Sequence, residues 1–302
     1  MAPAWVTLDP VKPIQVQEHR FPSFDDTEIA YHAAGEGAPI LLCNGLGGSW
    51  MAWKHQIRYF QEQHRFLSWD YRGLYRSGPP PSLDALTVED QCRDALAVMD
   101  HAGEESAILF GWSMGVQVAL ELIRTHPERV RGLVLINGVS GNPWKTVMNI
   151  GFMGDLLPPV IRGIGSVPRI AEALTRRVVA MPEAVGWAKR MGLAARTLDE
   201  DIFQELAASF SDLDMKRYMR TLELLGEHDA SAILPEIDVP TLFIAGDRDL
   251  FTPRAQMEKM ARSVPGAELM VVPGGTHYVA VEFPELVNLR IEKLLRERGL
   301  GA

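Results

Sequence analysis

Ser113 sits at the centre of Gly111-Trp112-Ser113-Met114-Gly115, between the apolar run Ala107 to Phe110 and the apolar helical pattern Val116 to Ile123. A GxSxG string by itself is weak, because glycine-rich chains produce it by chance. Its context is stronger. A sharp strand-to-helix turn needs small residues on both sides of its centre, where a Cβ would strike neighbouring backbone. Such a turn lifts the central hydroxyl out of the sheet edge; the bland alternative is a serine that only caps the helix.

A serine hydroxyl attacks only when a base takes its proton and a third group orients that base. Histidine is the economical base near neutral pH. Of the eight histidines, His277 lies in PGGTHYV, directly after the last apolar run, and so emerges at the same sheet edge. His19, His32, His55, His64, His101, His126 and His228 fall in an edge hairpin, helical patterns, helix ends or an insertion, where solvent or local partners satisfy them. The acid is offered by TLFIAGDRDLFTP as Asp247 or Asp249, and spacing alone leaves both open. Serine, acid and histidine follow one another in the order described for nucleophile elbows. Strand ends of an open α/β sheet are where such groups converge.

Attack on a carbonyl places negative charge on oxygen, and each main-chain N–H aimed there is worth on the order of 3 kcal/mol. The loop NGLGGSW, with glycines 45, 47 and 48, can present the amide of Leu46, while the amide of Met114 follows the serine directly. Asn44, Gly45 and Trp112 are expected beside the substrate. GLGGS lacks both the GxGxxG spacing and a GK[ST] ending, which argues against nucleotide binding, and no HExxH or similar spacing implies a metal. No cofactor is expected.

These groups need elements to carry them. Candidate strands are Ile40 to Asn44, Phe66 to Tyr71, Ala107 to Trp112, Leu133 to Asn137, Thr241 to Ala245 and Glu268 to Val272. Amphipathic helical patterns lie between them: Trp50 to Gln63, Thr87 to Ala102, Met114 to Thr125, Arg254 to Val264 and Pro284 to Arg298. Alternation of this kind signals a mainly parallel sheet covered on both faces. QVQEHRF and EIAYHA around FDDTE read as an antiparallel edge hairpin. From about Gly141 to Ile233 no strand pattern occurs, only helical stretches broken by NPW, LLPP, SVP and MPE and rich in methionine. So long a stretch needs its own packing. The expected organisation is a core over 1–140 and 234–302 with a helical cap over 141–233. Segments such as GFMGDLLPPVI are expected to give the pocket an apolar lining.

The chain has 302 residues, 39 acidic against 30 basic, for a net charge of -9. That balance disfavours nucleic acid as a partner. Two cysteines, Cys43 and Cys92, make no disulfide scaffold, so a reducing cytoplasm is the expected home. The prolines of MAPAWVTLDPVKP interrupt any leader-like apolar stretch. The most apolar window, Ala107 to Ile123, falls short of a bilayer span and is broken by polar residues, so no membrane partner is expected.

Taken together, the chain resembles the α/β-hydrolase-fold superfamily over nearly its whole length. The resemblance rests on NGLGG as an oxyanion loop, DYRGLYRSGPP as the D-x-R-G-x-G-x-S loop, GWSMG as the elbow, GDRDLFTP as the G-x-x-D-x-x-x-P acid loop, and GGTHYVAVEFPE as the histidine loop. It implies a mostly parallel eight-stranded sheet flanked by helices, with a helical cap after the sixth strand. It also selects Asp249, four residues before Pro253, as the acid, with Asp247 as fallback. Three positions depart from the family's pattern: Asn44 where many relatives have His, Tyr75 for a glycine, and Val116 for another. Ser113 differs from the aspartate that dehalogenases and epoxide hydrolases carry there, and Arg72 is expected to tie loops together. The implied activity is a serine hydrolase of small to medium apolar esters or lactones. C–C bond hydrolases, perhydrolases and acyltransferases share the constellation, and a non-catalytic binding protein is the rival from another class.

Overall fold

The computed structural model describes residues 13–145, 153–179, 181 and 183–301. Eight strands make one sheet: β1 (Gln17–Pro22), β2 (Glu28–Ala34), β3 (Ala38–Cys43), β4 (His64–Trp69), β5 (Ala107–Trp112), β6 (Val130–Ile136), β7 (Thr241–Gly246) and β8 (Glu268–Val272). Their order is β1-β2-β4-β3-β5-β6-β7-β8. β1 pairs antiparallel with β2, and β2 with β4. Every other pairing is parallel. The chain order of strands therefore reverses around β3 and β5, which is where open α/β sheets place their sites.

The helices are α1 (Lys54–Phe60), α2 (Val88–Ala102), α3 (Met114–Thr125), α4 (Met153–Gly165), α5 (Pro168–Val179), α6 (Ala184–Arg190), α7 (Glu200–Ser209), α8 (Met215–Leu225), α9 (Arg254–Ser263), α10 (Val279–Glu282) and α11 (Pro284–Glu297). Strand side chains alternate between faces. Leu41, Cys43, Leu109, Leu133 and Leu135 pack under α2, α3 and α9. Ile40, Leu42, Ile108, Phe110, Val134 and Ile136 pack under α1 and α11. Both faces are covered, so these strands are apolar throughout.

Local chemistry sets several boundaries. Thr87 and Asp90 form a reciprocal capping box at the start of α2, and Gly103 ends that helix at φ 77°. The expected helix Trp50 to Gln63 is instead a short 3-10 turn, Trp50–Trp53, followed by α1. The break falls at Trp53, whose buried indole donates to Asn44 Oδ1 at 2.9 Å. Arg72 is fully buried and bonds Asp94 at 2.7 and 2.8 Å and Asp25 at 2.9 Å, joining the loop after β4 to α2 and the hairpin turn.

Between β6 and β7 the described chain is helical, running from α4 to α8. Ile202 and Leu206 of α7 and Leu224 and Leu225 of α8 are buried. Among the described residues no helix is long and apolar enough to cross a membrane.

Candidate active site

β5 hands over to α3 through one residue in an unusual conformation: Ser113 has φ 57° and ψ -118°. This is strained for a side chain with a Cβ, and its surroundings enforce it. A Cβ on Gly111 would lie 2.7 Å from Gly115 O, and one on Gly115 would lie 1.9 Å from Cys43 O. The Ser113 amide is held by the carbonyls of Ile136 and Asn137, both at 3.1 Å. Its side chain makes no capping hydrogen bond to α3. The hydroxyl instead borders a cavity of about 480 Å³.

His277 borders the same cavity. Its Nδ1 lies 2.8 Å from Asp249 Oδ2. Asp249 is buried, and its oxygens also accept from the amides of Phe251 and Thr252 at 2.8 and 3.0 Å and from Thr252 Oγ1 at 2.6 Å. Burial pushes its carboxyl up, but His277 and these donors outweigh that and hold it below the ordinary carboxylate value. An ionised Asp249 accepts only, so the proton in this contact sits on His277 Nδ1. Asp247 is exposed and accepts from the Gly274 amide at 2.7 Å, closing the turn before His277.

The glycine loop after β3 forms another wall, with Gly45, Leu46, Gly47 and Gly48 at the cavity. Among the described residues the amides of Leu46 and Met114 donate to no protein acceptor, and both residues border the cavity. Trp112 packs against this loop, since a Cβ on Gly45 or Gly48 would lie 2.9 Å from its ring. Tyr75 donates to Gly47 O at 2.5 Å and contacts Ser209 Oγ of α7 at 3.3 Å. Burial pushes its phenol up to about 12, so it remains a neutral donor.

Of the three residues expected beside the substrate, Gly45 and Trp112 border the cavity and Asn44 does not. The Asn44 side chain is used elsewhere: it donates to Ser68 Oγ and Trp69 O, each at 3.0 Å, and accepts from Trp53. Its carbonyl accepts from Tyr71 at 2.5 Å. It is a buried fastener under the glycine loop. The expected lining segment GFMGDLLPPVI also differs. Its first residues lie outside the described ones, and Leu156 to Ile161 do not reach the cavity. Among the described residues the helical wall comes from Thr175 and Val179 of α5, Phe203 and Leu206 of α7, Phe210, and Leu222 of α8. Met148 lies outside the described residues, and Met181 and Met191 are exposed rather than lining.

Two supporting residues were not singled out from sequence. Asn137 Nδ2 donates to Thr276 O at 2.7 Å and its Oδ1 accepts from Gly246 N at 2.8 Å, joining the ends of β6 and β7 to the histidine loop. Glu282 receives the Thr276 amide at 2.7 Å and hydroxyl at 2.5 Å, and the Ala195 amide at 2.7 Å. A polar residue directly after a strand, and a buried acid in an apolar helical turn, were the available signals. Glu89, Glu121 and His228 approach closely enough to share a cation. Arg124 occupies both Glu121 oxygens at 2.8 and 2.6 Å, which leaves them poorly placed to hold one.

The family model for the alpha/beta hydrolase fold matches residues 38–284. The chain is similar to a putative carbamate hydrolase, RutD, of Azorhizobium caulinodans: 28% identical over 271 residues, covering 87% of this chain and 93% of that protein. Among solved structures it is similar to a thermophilic esterase from Thermogutta terrifontis, with TM-score 0.73, 24% identity and coverage of 93% and 98% of the two chains. It is also similar to the enol-lactonase of Burkholderia xenovorans LB400, with TM-score 0.75, 22% identity and coverage of 92% and 100%. At those identities the structural likeness speaks to the fold.

Proposed function

The chain belongs to the alpha/beta hydrolase family, and from that premise we propose that it is a serine hydrolase cleaving a carboxylic ester or lactone through an acyl-enzyme on Ser113. The observation that carries this reading is the 2.8 Å contact between Asp249 and His277, with His277 and Ser113 facing one cavity. His277 Nε2 removes the Ser113 proton as Oγ attacks the acyl carbon, and Asp249 stabilises the imidazolium that forms. The amides of Leu46 and Met114 receive the developing oxyanion, having no acceptor among the described residues. The leaving alcohol takes its proton from His277, which then activates water to release the acid.

The residues between β6 and β7, 141–233, act as a cap over the core formed by 1–140 and 234–302. The cavity wall they supply is apolar, with Val179, Leu206, Phe210 and Leu222, and that favours a medium-sized apolar acyl or alcohol group. A carbamate, the substrate class in the name of the RutD relatives, would meet the same acyl chemistry; the apolar lining favours a larger, less polar substrate.

A fluorophosphonate probe tests the reading. Labelling at Ser113 that disappears in Ser113→Ala and His277→Ala, together with turnover of p-nitrophenyl esters or lactones, is the expected result. A folded protein that labels nowhere overturns it.

A further inference from the structure

Helices α4 and α5 expose apolar rows where solvent should favour polarity. On α5, Ile170, Leu174 and Val178 recur every four residues and are 67%, 61% and 49% exposed. On α4, Leu156, Val160 and Ile164 do the same. Trp187 and Met191, also four apart, are exposed at α6 and its end. One stripe four residues apart on a helix is one face, so each helix turns an apolar row outward. On α5 the neighbouring row is cationic, with exposed Arg169 and Arg177 one residue before Ile170 and Val178.

Charge says what such a surface would meet. Residues 153–190 carry six basic and three acidic side chains, net +3 by sequence, in a protein of net -9. Arg162 pairs with Glu223 and Lys189 with Glu200. Among the described residues Arg169 and Arg177 pair with no carboxylate, and Arg190 lies against the exposed Trp187 ring at 5.5 Å. Apolar rows flanked by unpaired arginines are the pattern of helices that lie in a lipid-water interface. A second copy of the chain fits less well. In a two-fold contact the same surface faces itself and brings the unpaired arginines of both copies together.

We infer that the outer face of α4 and α5, which pack against each other, docks on an anionic lipid surface, with Ile170 and Leu174 entering the headgroup region and Arg169 and Arg177 meeting lipid phosphates. The surface is peripheral; the expectation of no membrane partner rested on the absence of a spanning segment. α5 turns Thr175 and Val179 to the cavity on its other side, so the docked helix is also a wall of the site. Docking does not depend on Ser113 chemistry.

The test is sedimentation of the full chain with phosphatidylcholine vesicles, with and without phosphatidylglycerol. Binding only to the anionic vesicles, weakening as salt is raised, is expected. Arg169→Gln with Arg177→Gln should reduce it about fivefold per arginine, and Ile170→Asp with Leu174→Asp should reduce it more. Fluorophosphonate labelling in lipid-free buffer reports separately on the serine reading and on the folding of each variant, and should be unchanged. Absence of binding to anionic vesicles, equal binding to neutral ones, or a dimer by light scattering that the same substitutions dissociate would each overturn the inference. The arginine pair keeps the test open should the aspartate variant fail to fold.

Discussion

Trp112 Nε1 donates to the main-chain carbonyl of His277 at 2.9 Å, so the residue before the proposed nucleophile grips the loop that carries the proposed base. The indole also lies 5.7 Å from the His277 ring. Trp112→Phe keeps most of the ring packing and removes the hydrogen bond. The expected cost is ~1 kcal/mol of stability but up to ~100-fold in kcat, because a base displaced by a fraction of an ångström transfers protons poorly. Steady-state kinetics beside a denaturant titration checks this; an unchanged kcat would show that the histidine loop positions itself.

Asp249 and Asp247 should separate cleanly. Asp249→Asn is expected to lower kcat by about 10⁴, because an amide cannot stabilise the imidazolium or fix its tautomer. Asp247→Asn should stay within a few-fold, as its contact is to Gly274. Stability follows the same division. Asp249 is held below the ordinary carboxylate value despite its burial. Its contribution is therefore fully present above the unfolded value of ~3.9 and is lost as pH falls through the lower native value. Thermal midpoints of the wild type and Asp249→Asn should differ at neutral pH and approach one another in acid. A gap that stays constant across that range would contradict the assignment.

Two glycines give opposite expectations for the same substitution. Gly115→Ala would put a Cβ 1.9 Å from Cys43 O, and neither backbone can retreat without opening the β3 to α3 contact. A loss of about 3 kcal/mol or more is expected, with turnover falling too. Gly163 lies inside α4 with nothing within 4 Å of its added Cβ, so Gly163→Ala should stabilise by ~0.5–1 kcal/mol. Urea unfolding of both variants decides whether the elbow geometry is enforced as described.

The central strands were legible because their apolar runs are short, β-branched and buried on both faces. Ser113 and His277 stood out because each follows an apolar run, whereas position left Asp247 and Asp249 equivalent and only the resemblance selected Asp249. Asn44 shows where the sequence stops being informative. Adjacency to Gly45 places its backbone near the cavity, but strand alternation turns its side chain under the loop toward Ser68 and Trp53. Asn137 reaches Thr276 and Glu282 reaches Ala195 across long stretches of chain, and no local spacing reveals that. The lining of the cavity was hard to read for a related reason. A helix that is apolar on two sides, as α5 is at Thr175 and Val179 inside and at Ile170 and Leu174 outside, does not say which side faces the cavity.

If the proposed reaction holds, Phe210 should limit substrate length. Its ring lies against the glycine loop, where a Cβ on Gly47 would be 2.6 Å from Cζ, and it packs edge-on to Tyr218 at 5.8 Å between ring centres. Both rings border the cavity, so Phe210→Ala enlarges its apolar space. Each further methylene that the enlarged site buries contributes ~0.8 kcal/mol, about fourfold in kcat/KM. With p-nitrophenyl esters of graded length, the variant's optimum should therefore move to longer chains by a few carbons. Short esters should lose little, because the proposed oxyanion amides and the proposed base, His277, remain in place. An optimum that stays put, with all lengths reduced alike, would mean that the ring supports the glycine loop and that the substrate chain runs toward α5 and Val179 instead.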